Sequence, residues 1–118
     1  MNSKFFVSYE AARLLKEKGY DDEYITFYNE NGELIIPYDK EEYHVLYPCS
    51  TKAEVIDWLE SKGIVVEVNM NYCGLNNWHY ILHRENIYET IYSENDDIYF
   101  STRLEAEEAA IIKALELL

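Results

Sequence analysis

Apolar residues recur along this chain with two periods, and the switches between them mark out the elements. Ala11, Leu14 and Leu15 follow the i, i+3, i+4 spacing of one helix face. Ser8 in front of them offers a hydroxyl to an unpaired N–H of the first turn. Lys16 and Lys18 suit the negative end of the dipole, and Gly19 suits a left-handed stop. The β-branched and aromatic run 24–28 then reads as a strand. Asn31-Gly32 turns the chain into a second strand at 34–36, which Pro37 ends because it has no N–H for a ladder. Residues 38–50 show no period. Tyr38, Tyr43, Tyr47 and Pro48 read as an irregular, partly packed connection, with a helical turn around Glu41–Tyr43.

The second helix is better marked. Thr51 and Glu54 have the spacing of a capping box, in which hydroxyl and carboxylate satisfy unpaired N–H groups reciprocally. Val55, Trp58 and Leu59 form its apolar face, and Gly63 stops it. From there the period is two. Ile64, Val66, Val68 and Met70 share one side of a strand, and residues 71–77 read as a loop. In 78–84, Trp78, Tyr80 and Leu82 point one way and His79, Ile81 and His83 the other. Residues 87–92 read as a third strand, with Tyr88 and Tyr92 on one face and Ile91 on the other. A turn at 93–97 leads to a short fourth strand at 98–100. Thr102 and Glu105 repeat the capping-box spacing before a helix to Leu118, whose Leu104, Ile111, Leu115 and Leu118 form the face expected to cover the sheet.

The order α-β-β-α-β-β-β-β-α predicts an α+β single domain over 1–118, with about three helices packed on a mainly antiparallel sheet. With 118 residues and 48% hydrophobic composition, the chain can bury a core without disulfides or metal. No apolar run approaches the roughly 18 residues of a membrane span. The stretch Phe5-Phe6-Val7 is too short for the core of a signal peptide. Acids number 23 against 10 bases, a net charge of −13. That weighs against nucleic acid or an anionic membrane as partner, because both reward clustered cations. A cytoplasmic protein is expected, with Cys49 and Cys73 as free thiols and a disulfide between them as the open alternative.

Three stretches, taken in order, resemble something known: 9–34 (YEAARLLKEKGYDDEYITFYNENGEL), 51–68 (TKAEVIDWLESKGIVVEV) and 105–118 (EAEEAAIIKALELL). They resemble a family of small uncharacterised proteins from Bacteroidetes genomes and their phages or prophages. The resemblance leaves out residues 69–100. It implies a bacterial cytosolic or phage-encoded origin and carries over no activity and no binding residue.

Chemistry-bearing residues are few. His79 and His83 lie four apart on one strand, about 13 Å, too far to share a metal ion. Cys73 could meet His79. Cys49 precedes the Thr51 helix, whose N-terminus can lower a thiol pKa, which makes it the better nucleophile candidate. Asp21-Asp22-Glu23 and Asp96-Asp97 lack the spacing of an EF-hand loop. Glu108 stands out because it falls beside Leu104 and Ile111 on the helix wheel. No metal and no cofactor is expected. The twelve tyrosines are the most unusual feature of the composition. Tyrosine is enriched at interfaces and is also a normal strand residue.

The leading expectation is a non-catalytic protein-binding or accessory protein, whose partner is another protein or a second copy of itself. Its surface is expected on the sheet face with His79, Ile81, His83, Tyr88 and Tyr92. The alternatives are a small cysteine- or histidine-dependent enzyme built on Cys49, Cys73 or His79, and a nucleic-acid-mimicking inhibitor of a host enzyme. A mimic should array carboxylates along one face at about 7 Å, near the phosphate spacing.

Overall fold

A computed structural model describes residues 5–20, 26–35, 46–70, 77–93 and 98–118. Cys73, the turn around Glu41–Tyr43, and the acidic runs at 21–23 and 96–97 lie outside the described residues. Helix α1 (Tyr9–Glu17) starts where Ser8 Oγ accepts from Ala11 N at 3.2 Å. Three two-residue strands follow: β1 (Phe27–Tyr28), β2 (Leu34–Ile35) and β3 (Tyr47–Pro48). Helix α2 (Lys52–Ser61) carries the complete capping box between Thr51 and Glu54. Strands β4 (Ile64–Met70), β5 (Trp78–Arg84) and β6 (Glu89–Tyr92) lead to helix α3 (Arg103–Leu117). The fold is α+β, and no helix among the described residues is long and apolar enough to cross a membrane.

Among the described residues the strands form two antiparallel sheets, ordered β2-β1-β3 and β4-β5-β6, in place of the single sheet expected. The small sheet turns at Asn29, whose buried Oδ1 accepts from Asn31 N and Glu33 N, both at 2.9 Å. Gly32 sits at φ +80°, and a Cβ there would stand 3.0 Å from the Tyr9 ring. Glycine therefore serves twice, by conformation and by space. Strand β3 corrects the irregular reading of 38–50 at Tyr47 and Pro48, while residues 38–45 lie outside the described residues. Pro48 can pair with Phe27 because β3 is an edge strand, where a missing N–H costs least.

In the larger sheet the alternation reads correctly. Ile64, Val66 and Val68 share a face with Tyr80, Leu82 and Ile91, and this face meets the core side chains of α2 and α3. Met70, expected inside, is exposed at the strand's far end. The expected fourth strand is a single bridge, Phe100 to Trp78, with both backbone bonds made at 2.9 and 2.8 Å.

Helix α3 begins as expected, with Thr102 Oγ1 accepting from Glu105 N at 3.2 Å. Its inward face is rotated from the expected one. Ala106, Ala110, Ala114, Ile111 and Leu115 are buried, Leu104 is half-buried, and Leu118 is exposed. The reason is that α3 packs on α1 as well as on the sheet, and α1 turns Ala11 and Ala12 inward. Small side chains let helices approach closely, so the alanine line belongs to the core as much as the leucines do.

Candidate functional site

The β5–β6 hairpin departs most from the sequence reading. Its last ladder pair is Arg84 with Glu89, joined by Arg84 Nη1 to Glu89 Oε1 at 3.0 Å. Between them Glu85–Ile87 form a 3₁₀ turn, and Tyr88 takes φ 53°, ψ 33°. Tyr88 is the one non-glycine residue at positive φ among the described residues. The left-handed region costs an L-residue about 1–2 kcal/mol. The turn is clamped, because Glu85 N donates to Gly63 O at 3.0 Å behind α2. Gly63 is needed there: at φ +92° a Cβ would stand 3.1 Å from Asn86 Nδ2. The result is Tyr88 at 96% exposure beside a half-exposed Ile87. The strand expected over 87–92 thus begins at Glu89, and Tyr88 does not share a strand face with Tyr92.

The face away from the helices carries Val65, Glu67 and Asn69 of β4, His79, Ile81 and His83 of β5, and Thr90 and Tyr92 of β6. Ile81 lies opposite Tyr92, and His83 Nε2 stands 3.5 Å from Glu67 Oε1. Ile81, His83 and Tyr92 are therefore brought together as expected. His79 is not part of an open surface: it is 8% exposed, and its buried Nδ1 makes no hydrogen bond. Among the described residues no group of three or more His, Cys, Asp and Glu could hold a metal ion. Glu67 is the one carboxylate these strands place on that face, and His83 already engages it. The strands thus carry no row of acids at phosphate spacing.

Cys49 lies at 2% exposure as a free thiol. Burial pushes its pKa up, and the Tyr28 hydroxyl pulls weakly the other way. A helix N-terminus close in sequence does not activate a thiol that desolvation keeps protonated. Tyr28 donates to Val7 O at 2.7 Å, and burial, then the Cys49 neighbour, raise its own pKa well beyond the usual range.

Glu108, which the helix wheel singles out, forms a junction with Lys52, which sequence patterning missed. Lys52 occupies the first turn of α2, where a cation opposes the helix dipole, yet it is buried. Its Nζ donates to Phe6 O at 3.1 Å and stands 3.9 Å from Glu108 Oε2. Glu108 Oε1 accepts from Ser8 N at 3.0 Å. One carboxylate of α3 thus serves the start of α1 and faces the start of α2. The visible signals were a lysine at an unfavourable helix position and a glutamate on an apolar stripe.

Comparison of the chain with models of known protein families, with curated proteins and with solved structures found no match.

Proposed function

We propose that this is a non-catalytic binding protein of bacterial or phage origin, which docks another protein in the cytoplasm through the β5–β6 hairpin. The carrying observation is Tyr88, held in a left-handed conformation at 96% exposure with Ile87 beside it. A residue kept in a costly conformation, with no burial to repay it, points to a role in contact. Truncating an interface tyrosine that anchors a contact typically costs about 2 kcal/mol or more, roughly thirtyfold in affinity. Tyr92 and Ile81 extend the same hairpin with further apolar surface. A second copy is the weaker choice of partner, because two chains at −13 each repel. The buried Cys49 thiol suits a reducing compartment, and the resemblance over 9–34, 51–68 and 105–118 supports the origin.

The test is a photoreactive phenylalanine analogue at position 88, expressed in the source cells. It should crosslink one partner protein, while the same analogue at the exposed Arg13 of α1 should not. Tyr88→Ala should lose that partner and keep the wild-type melting curve. Equal crosslinking from both positions, or none from position 88, would overturn the reading.

A further inference from the structure

Beside the first turns of α3 lies a cleft of about 540 Å³, lined by none of the hairpin residues Glu85–Tyr92 among the described residues. That is the size of a small-ligand site. Phe100, Leu104 and Ile112 give it apolar walls, and Lys52, Glu105 and Glu108 supply its charges. Glu105 is exposed and Glu108 is deeper. Oε1 of Glu108 is engaged by Ser8 N, while Oε2 is buried and accepts no hydrogen bond. Its nearest cation, Lys52 Nζ, stands 3.9 Å away and already donates to Phe6 O. The ion pair leaves Oε2 without a hydrogen bond, and a buried acceptor so placed calls for an explanation.

The charge count gives the sign of the ligand. Among the described residues of the lining two carboxylates face one ammonium, and the chain as a whole stands at −13. An anionic head would be repelled by both, whereas a cationic head would be drawn in. We propose that this cleft binds a small arylalkyl amine. Its ring lies against Phe100, Leu104 and Ile112, and its ammonium is directed toward Glu105 and Glu108. The apolar walls provide affinity, and the surplus carboxylate selects the charge of the head group.

Tryptamine is a suitable probe, with 3-ethylindole as its uncharged counterpart and indole-3-propionate as its anionic one. Titration followed by methyl NMR should shift Leu104 and Ile112 with tryptamine, and at least tenfold higher concentrations of the other two should be required. Glu105→Gln, at an exposed position, should weaken tryptamine about tenfold without moving the melting point. Glu108→Gln should weaken it as well, since glutamine keeps an oxygen for Ser8 N. Ile112→Trp should fill the cleft and abolish the shifts. The proposal fails if tryptamine leaves Leu104 and Ile112 unshifted at millimolar concentration. It fails equally if 3-ethylindole binds as tightly, or if Glu105→Gln changes nothing.

Discussion

Tyrosine does opposite things in two regions of this fold. Around α1 and the small sheet, the Tyr9 ring meets Tyr28 edge-on at 5.8 Å and Tyr47 at 5.5 Å. Lys16 Nζ lies 5.3 Å from the Tyr47 ring centre, and the hydroxyls of Tyr9 and Tyr28 donate to Glu30 O and Val7 O. These rings add to the buried Phe27 and Ile35 in holding three strands too short to be stable alone. At the β5–β6 hairpin, Tyr88 packs on little, sits in an unfavourable conformation, and reaches solvent almost completely. The same residue type is a structural adhesive in one place and a displayed group in the other. Composition therefore overstates the tyrosine surface, and backbone conformation is what separates display from packing.

The scale for breaking this contrast comes from the core. Leu115 is fully buried on α3, and core Leu→Ala changes cost about 2–5 kcal/mol. Leu115→Ala should lower the melting temperature by roughly ten degrees or more. An unchanged curve would mean that the inward face of α3 is misplaced.

A smaller effect is expected at Tyr28. Tyr28→Phe keeps the ring contacts but leaves Val7 O without its donor, a loss of about 1–2 kcal/mol. The same change should alter the alkaline limb. Tyr28 and Cys49 both hold their protons more tightly folded than unfolded. Their contribution is therefore complete below the thiol's ordinary value of 9.0 and is withdrawn as pH climbs past it and past the phenol's 10.0. Urea midpoints measured from pH 8 upward should fall for the wild type and fall less steeply for Tyr28→Phe. Parallel limbs would show that the Tyr28 hydroxyl is not buried as described.

How far the sequence revealed this arrangement depends on the element. Ser8, Thr51 and Thr102 were legible as caps, because capping depends on a few neighbouring residues. The inward faces of β4 and β5 were legible because a period of two survives any tertiary detail. The alanine face of α3 was not, since alanine looks neutral until a second helix packs against it. Strand β3 was hidden by Pro48, which argues against a strand unless the strand is known to lie on an edge. The hairpin tip was hidden for a related reason. Glu85-Asn86-Ile87-Tyr88 contains no glycine at the position that needs positive φ, so an apolar Ile87-Tyr88 pair reads as the continuation of a strand. Of the candidate site, Ile81, His83 and Tyr92 could be read from alternation. The displacement of Tyr88 could not, because it depends on where the turn falls, and the burial of His79 could not, because alternation fixes a face and not what covers it.

The smallest expected effect is the one that bears most directly on the contrast. Tyr88→Gly removes a Cβ from the left-handed region, which relieves about 1–2 kcal/mol of strain. The added freedom of glycine in the unfolded chain offsets roughly 0.5–1 kcal/mol of that gain. Almost no buried contact is lost, since Tyr88 is 96% exposed. The net change should be a stabilisation of at most about 1.5 kcal/mol, seen as a rise of up to several degrees in melting temperature. Tyr88→Ala, which keeps the Cβ, should leave the melting temperature near the wild-type value. A variant that is more stable and has lost its partner would show stability given up for contact. If Tyr88→Gly instead melts lower, the ring is packing on the hairpin after all, and the division between the two tyrosine regions disappears.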